Sequence, residues 1–146
     1  MALSMEARRE LEQHWLPNLS DWGLARLADM LDRGDPMLIR HNWAAARAMG
    51  CLATHAGWNH EETEHLGDSA GREWLARVAG IPLCRSYVVR DWDFAGSDPY
   101  RLWELRGELV RLFREEQCAR RERMEQPCDD GFERDPADVL APIEAV

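Results

Sequence analysis

The chain has 146 residues, 45% of them hydrophobic and seven of them Trp, with a formal net charge of −9. That length suits one domain with a sizeable core, and no apolar run approaches the roughly eighteen residues of a membrane-spanning helix. All 18 basic residues are Arg, and they stand among acids rather than in an unopposed stripe, which argues against direct nucleic-acid binding.

The acidity is uneven. Residues 98–125 balance seven Arg against seven Asp or Glu, whereas residues 126–146 hold one Arg against six. The body is thus close to neutral and the tail carries more than half of the excess. Four Cys show no paired spacing, so free thiols are expected. The opening MALSMEARRE has charges where a signal peptide needs apolar residues, and the expected compartment is the cytoplasm.

In chain order, Ser4 caps a first helix running to about Trp15, and Pro17 closes that segment. Ser20 or Asp21 opens a second, with Leu24, Leu27, Ala28 and Leu31 as its apolar stripe and Gly34 as its stop. Asp35-Pro36 predicts a third helix to about His55. Its small residues, Ala44 to Ala56, suit close approach by a neighbour at the centre of the fold. Asn59 and Glu62 have capping-box spacing before Gly67, and Asp68 or Ser69 opens a further helix to about Ala79. LCRSYVVRDWDF alone has strand character. Asp98-Pro99 then begins the longest helix, to Gln126, with Leu102, Leu105, Leu109, Leu112 and Phe113 along one face. Glu116 and Arg120 replace apolar residues further along that face, so its distal third is expected to meet water or a partner.

The expected fold is all-α: a five- or six-helix bundle with a long C-terminal helix and one extended segment before it. Residues 1–126 form the helical domain, and 127–146 an acidic, Pro-containing tail in which Val139, Leu140, Ile143 and Val146 make a short docking motif.

The densest set of ligand-type side chains is Cys51, His55, His60 and His65. Cys51 and His55 are four apart and share a helical face. His60 and His65 are five apart, which excludes the metalloprotease pattern, but a bend at Gly57 would let three of the four converge on Zn²⁺. Asp91, Asp93 and Asp98 resemble the start of a calcium loop, yet Ala95 and Leu102 stand where later ligands belong. Cys84 lacks a nucleophile motif, Cys118 and Cys128 are ten apart, and no serine-hydrolase, phosphate-loop or dinucleotide fingerprint occurs. Trp43, Trp74 and Trp103 fall on inward helical faces; Trp15, Trp22, Trp58 and Trp92 fall at helix ends or in loops.

The expected function is therefore a small, acidic, non-enzymatic protein-interaction factor without cofactor. An inhibitor of a nucleic-acid-handling complex, of the anti-CRISPR or antirestriction type, is its concrete form. Its partner would be a protein with a basic surface, gripped by Trp22, Trp58, Trp92, Arg120, Arg121, Asp129 and Asp130, with no membrane contact. The alternative is a metal-binding domain or metal-dependent enzyme built on Cys51, His55, His60 and His65.

Overall fold

The computed structural model describes residues 2–82 and 85–125. Helix dominates, as expected, and the described strands form a single two-stranded sheet. Helix α1, Met5–Glu10, starts where Ser4 accepts the Ala7 N–H at 3.1 Å, and continues into a π-helical turn, Leu11–Trp15. Helix α2, Asp21–Arg33, starts at Ser20, whose hydroxyl accepts the Gly23 N–H at 2.9 Å, and ends on Gly34 at φ 63°. Strands β1 (Ala44–Ala46) and β2 (Met49–Gly50) make a small antiparallel hairpin. Helix α3 is Leu52–Trp58; helix α4, Ala70–Glu73, runs on into a second π-helical segment, Trp74–Ala79, closed by Gly80 at φ 76°. Helix α5 is Tyr87–Ala95 and helix α6 is Pro99–Glu125.

Three of the sequence expectations need correction here. The extended segment before the long helix is instead α5. Ser86 caps it through the Val89 N–H, and the Glu10 carboxylate, brought from α1, accepts the Tyr87 and Val88 N–H groups at 2.7 and 3.4 Å. Val88, Trp92 and Ala95 are its buried residues, at helical spacing. Strand-forming side chains were thus overridden by a tertiary cap. The second correction concerns Pro36 to His55, which is not one helix. Asp35 accepts the Met37 N–H at 2.9 Å and turns the chain, and Ala48 reverses it at φ 68°. Only Leu52–Trp58 is helical. The small residues up to Ala48 are mostly exposed. Those from Ala53 to Gly57 do permit close approach, against Ala70 and Gly71 of α4. The Asn59–Glu62 capping box is also absent: Asn59 ends α3, its amide donating to the His55 carbonyl at 2.8 Å.

The core lies between α2, α3, the first and fourth helical segments, and the inner face of α6. The two π-helical segments place Trp15 and Trp74 edge to face, with ring centroids 5.0 Å apart. Both are fully buried. Helix ends are tied down by side chains from far along the chain. Arg106 donates to the Leu31 and Asp32 carbonyls at 2.8 and 3.1 Å, closing α2. His14 donates through Nδ1 to the Ala79 carbonyl at 2.8 Å. Glu108 accepts the Ala2 and Leu3 N–H groups, and Asp91 accepts that of Ser4. These bonds satisfy terminal groups that a short helix otherwise leaves unmade.

Candidate functional site

The residues singled out in the sequence divide between core, cleft and surface. Cys51 is buried, its sulfur 3.5 Å from the Thr54 hydroxyl, and burial pushes its thiol up, favouring the protonated form that binds metal poorly. His55 is buried and donates through Nε2 to the Met37 carbonyl at 2.8 Å. His60 accepts the Glu62 N–H at 3.1 Å within its own turn. His55 and His65 line one broad cleft together with Trp58, Arg26, Arg47 and Asp68. Cys51 and His60 do not line it. Among the described residues no three His, Cys, Asp or Glu side chains are gathered as a metal site.

Burial, led by loss of hydration, also holds the His55 imidazole below its ordinary value, against the opposing pull of the Met37 carbonyl. A histidine whose folded value is depressed takes up its proton more readily unfolded. Its contribution is therefore complete above about pH 6.5 and is lost as pH falls below that. Denaturant melts between about pH 7.5 and pH 5.5 should show stability falling with acidity, and His55→Gln should flatten the slope. An equal slope in both proteins would place the acid sensitivity elsewhere.

Trp22 is 67% exposed on the first turn of α2. Trp58 is half-buried, its Nε1 donating to the Gly67 carbonyl at 2.9 Å. Trp92 is not a surface anchor: it is buried, and its Nε1 donates to the Ile39 carbonyl at 2.8 Å. Arg120 is likewise engaged within the fold. Its guanidinium donates to Leu16, Glu116 and Asp21 at 2.6, 2.8 and 2.7 Å, so the distal third of α6 ties down the first helical segment rather than projecting freely. Arg121 is exposed and within 3.3 Å of the Cys118 sulfur. Asp129 and Asp130, with the rest of the tail and Cys84 and Cys128, lie outside the described residues. Asp91 and Asp93 point to different backbone groups, Ser4 N–H and His41 N–H, and do not form a cation loop.

The largest unexpected feature is the corner between α5 and α6. Phe94, Tyr100 and Trp103 are 71%, 68% and 67% exposed. Trp103, expected in the core, instead lies 6.1 Å from Tyr100 on the outer side of α6. The reason is angular. At about 100° per residue, Tyr100, Trp103, Gly107 and Val110 form a stripe roughly 170° around from Leu105, Leu109 and Leu112. A groove along this stripe is lined by Trp103, Gly107, Val110, Asp32, Glu104 and Arg111 among others. The spacing of Tyr100 with Trp103 was the available signal; the apolar character of Trp and Val hid it.

On the other side of Arg106 lies a second cleft, enclosed by the end of α2, the 35–41 loop, Trp92 and the start of α6. Here Arg40 lies with its guanidinium 5.7 Å from the Trp92 ring centroid. His41 holds a left-handed backbone, φ 74°, fixed by its N–H donating to Asp93 at 2.8 Å. Such a conformation in a non-glycine residue is strained and is kept by its surroundings.

The chain matches no family model, no curated protein and no solved structure. No helix among the described residues is long and apolar enough to cross a membrane.

Proposed function

We propose that this protein is a non-enzymatic interaction factor whose docking face is the Phe94–Tyr100–Trp103 corner, and that its partner is a protein presenting apolar side chains within a basic surface. An inhibitor of a nucleic-acid-handling complex remains the concrete form of that proposal. The observation that carries it is the exposure of three aromatic side chains, each about 70% open, within ten residues of one corner. Large aromatics left in water are costly to keep unless something covers them, and Trp and Tyr dominate binding hot spots. Charge supports the choice of partner. Asp98, Glu104 and Asp32 border the corner and its groove, and the tail beyond residue 125 adds six acids against one Arg. An acidic rim steers a basic partner and rejects acidic ones. Trp22 is a second, separately placed anchor, and the helices behind the corner act as a bundle that holds it rigid.

Affinity capture from the cells that make the protein, with wild type and a Tyr100→Ser/Trp103→Ser variant side by side, tests this. A basic protein retained by wild type and lost by a variant with an unchanged melting temperature is the expected result. Equal retention by both would remove the corner from the interface.

A further inference from the structure

We propose that the cleft between the end of α2, the 35–41 loop and the α5–α6 turn binds a small organic anion, a monocarboxylate carried on an apolar body, held by the Arg40 guanidinium. The cleft encloses about 360 Å³, at the compact end of ligand-pocket sizes. Its wall is apolar where Leu31, Leu38, Trp92 and Leu102 line it, and cationic where Arg40 and Arg106 do.

The two arginines differ in what they already hold. Arg106 donates through Nε and one terminal nitrogen to the Leu31 and Asp32 carbonyls, so its charge serves the negative end of α2. Arg40 has no ion pair or hydrogen bond among the described residues, and its Nε is buried without a partner. A half-buried guanidinium in that state lacks the acceptor that its desolvation calls for. Its placement is fixed by packing. The guanidinium faces the Trp92 ring, and its stem and Nε press on Gly96, where any Cβ would collide with them. Arg106 similarly lies over Gly34, 3.0 Å from where a Cβ would be. Glycine at both helix ends thus lets a guanidinium settle against the backbone and face the same cavity.

The charge balance selects the ligand class. Asp35 also lines the cleft and Asp93 sits beside it, but Asp35 is held by Arg33 and the Met37 N–H, and Asp93 by the His41 N–H. Among the described residues Arg40 is the cation of this cleft that no acceptor holds, and beside two carboxylates it suits a single negative charge better than a doubly charged phosphate. A planar guanidinium pairs with a carboxylate through two parallel hydrogen bonds, while the apolar wall takes the rest of the molecule.

Benzoate and inorganic phosphate are the probes, followed through the Trp92 indole N–H resonance of the full chain. Saturable, millimolar binding of benzoate with no saturable response to phosphate is expected. Arg40→Met, which keeps the stem over Trp92, should weaken benzoate about tenfold or more, the worth of a lost charge-assisted bond. Trp103→Ser should leave it unchanged, which separates this cleft from the docking corner. The proposal is overturned by absence of saturation, by equal binding of phosphate, by full affinity in a folded Arg40→Met, or by loss of binding in Trp103→Ser.

Discussion

Glu10→Ala is expected to lower stability by about 3–5 kcal/mol, the usual cost of removing one member of a buried polar network. Glu10 is 7% exposed. Its carboxylate accepts the Trp15 indole N–H at 2.9 Å, the Ser86 hydroxyl at 2.6 Å and the Tyr87 N–H at 2.7 Å, with the Val88 N–H at 3.4 Å. Alanine strands these donors where water reaches them poorly, and an unmade buried bond costs more than the made bond contributes. It also removes the acceptor from the N-terminus of α5, where a carboxylate is favoured by the helix dipole. For a chain of this size the loss corresponds to a melting point lower by about 10–16 °C. Glu10→Gln keeps the carbonyl oxygen but turns a second acceptor into a donor facing donors, and should fall between the two. Glu12→Ala is the control. That residue is half-exposed and, among the described residues, pairs only with Arg8, at 3.2 Å across one helical turn, so its loss is worth no more than about 0.5 kcal/mol. Equal melting points for Glu10→Ala and Glu12→Ala would mean that α5 forms without its remote cap.

That dependence also separates what could be read from the sequence from what could not. The starts at Ser4, Ser20 and Asp98 and the stop at Gly34 were legible because the cap and the groups it satisfies lie within four residues of one another. Helix α5 was not. Its decisive acceptor is Glu10, more than seventy residues away, and Tyr87, Val88 and Val89 on their own favour a strand. Trp92 lies in the same segment, and without the helical face it shares with Val88 and Ala95 nothing local marks it as buried. The stretch from Pro36 to Gly50 failed differently: an alanine-rich run has high helix propensity, but the Asp35 turn and backbone bonds from the Ile39 N–H to the Gly50 carbonyl, the Gly50 N–H to the Met37 carbonyl and the Cys51 N–H to the Trp43 carbonyl hold it extended instead. Of the candidate site residues, Trp22 and Arg121 are exposed, and His55, Trp58 and His65 line one cleft that Cys51 and His60 do not reach. Arg40 carried no local signal at all. Its isolation from acceptors is a property of the folded cleft.

Gly71→Ala should destabilise the protein by about 2–3 kcal/mol, although alanine is the better helix former by about 1 kcal/mol. A Cβ on Gly71 would stand 2.8 Å from the Thr54 backbone nitrogen and 2.9 Å from its Cα, and closer still to its hydroxyl. Thr54 is fully buried in α3, so relief requires the α3 backbone to move away from α4. Gly57 faces the same constraint from the other side, against the Ala70 carbonyl. Separating the two helices also shifts His55, whose hydrogen bond to Met37 anchors the 35–41 loop. Gly107→Ala supplies the opposite case. Nothing lies within 4 Å of the Cβ it would add on the outer side of α6, so there the helix preference acts alone and stability should rise by about 1 kcal/mol. Chemical denaturation of the two variants beside wild type decides the matter. Changes of opposite sign identify the α3–α4 crossing as the place where the absence of a side chain sets the packing distance, whereas a stabilised Gly71→Ala would show that the helices have room to spare.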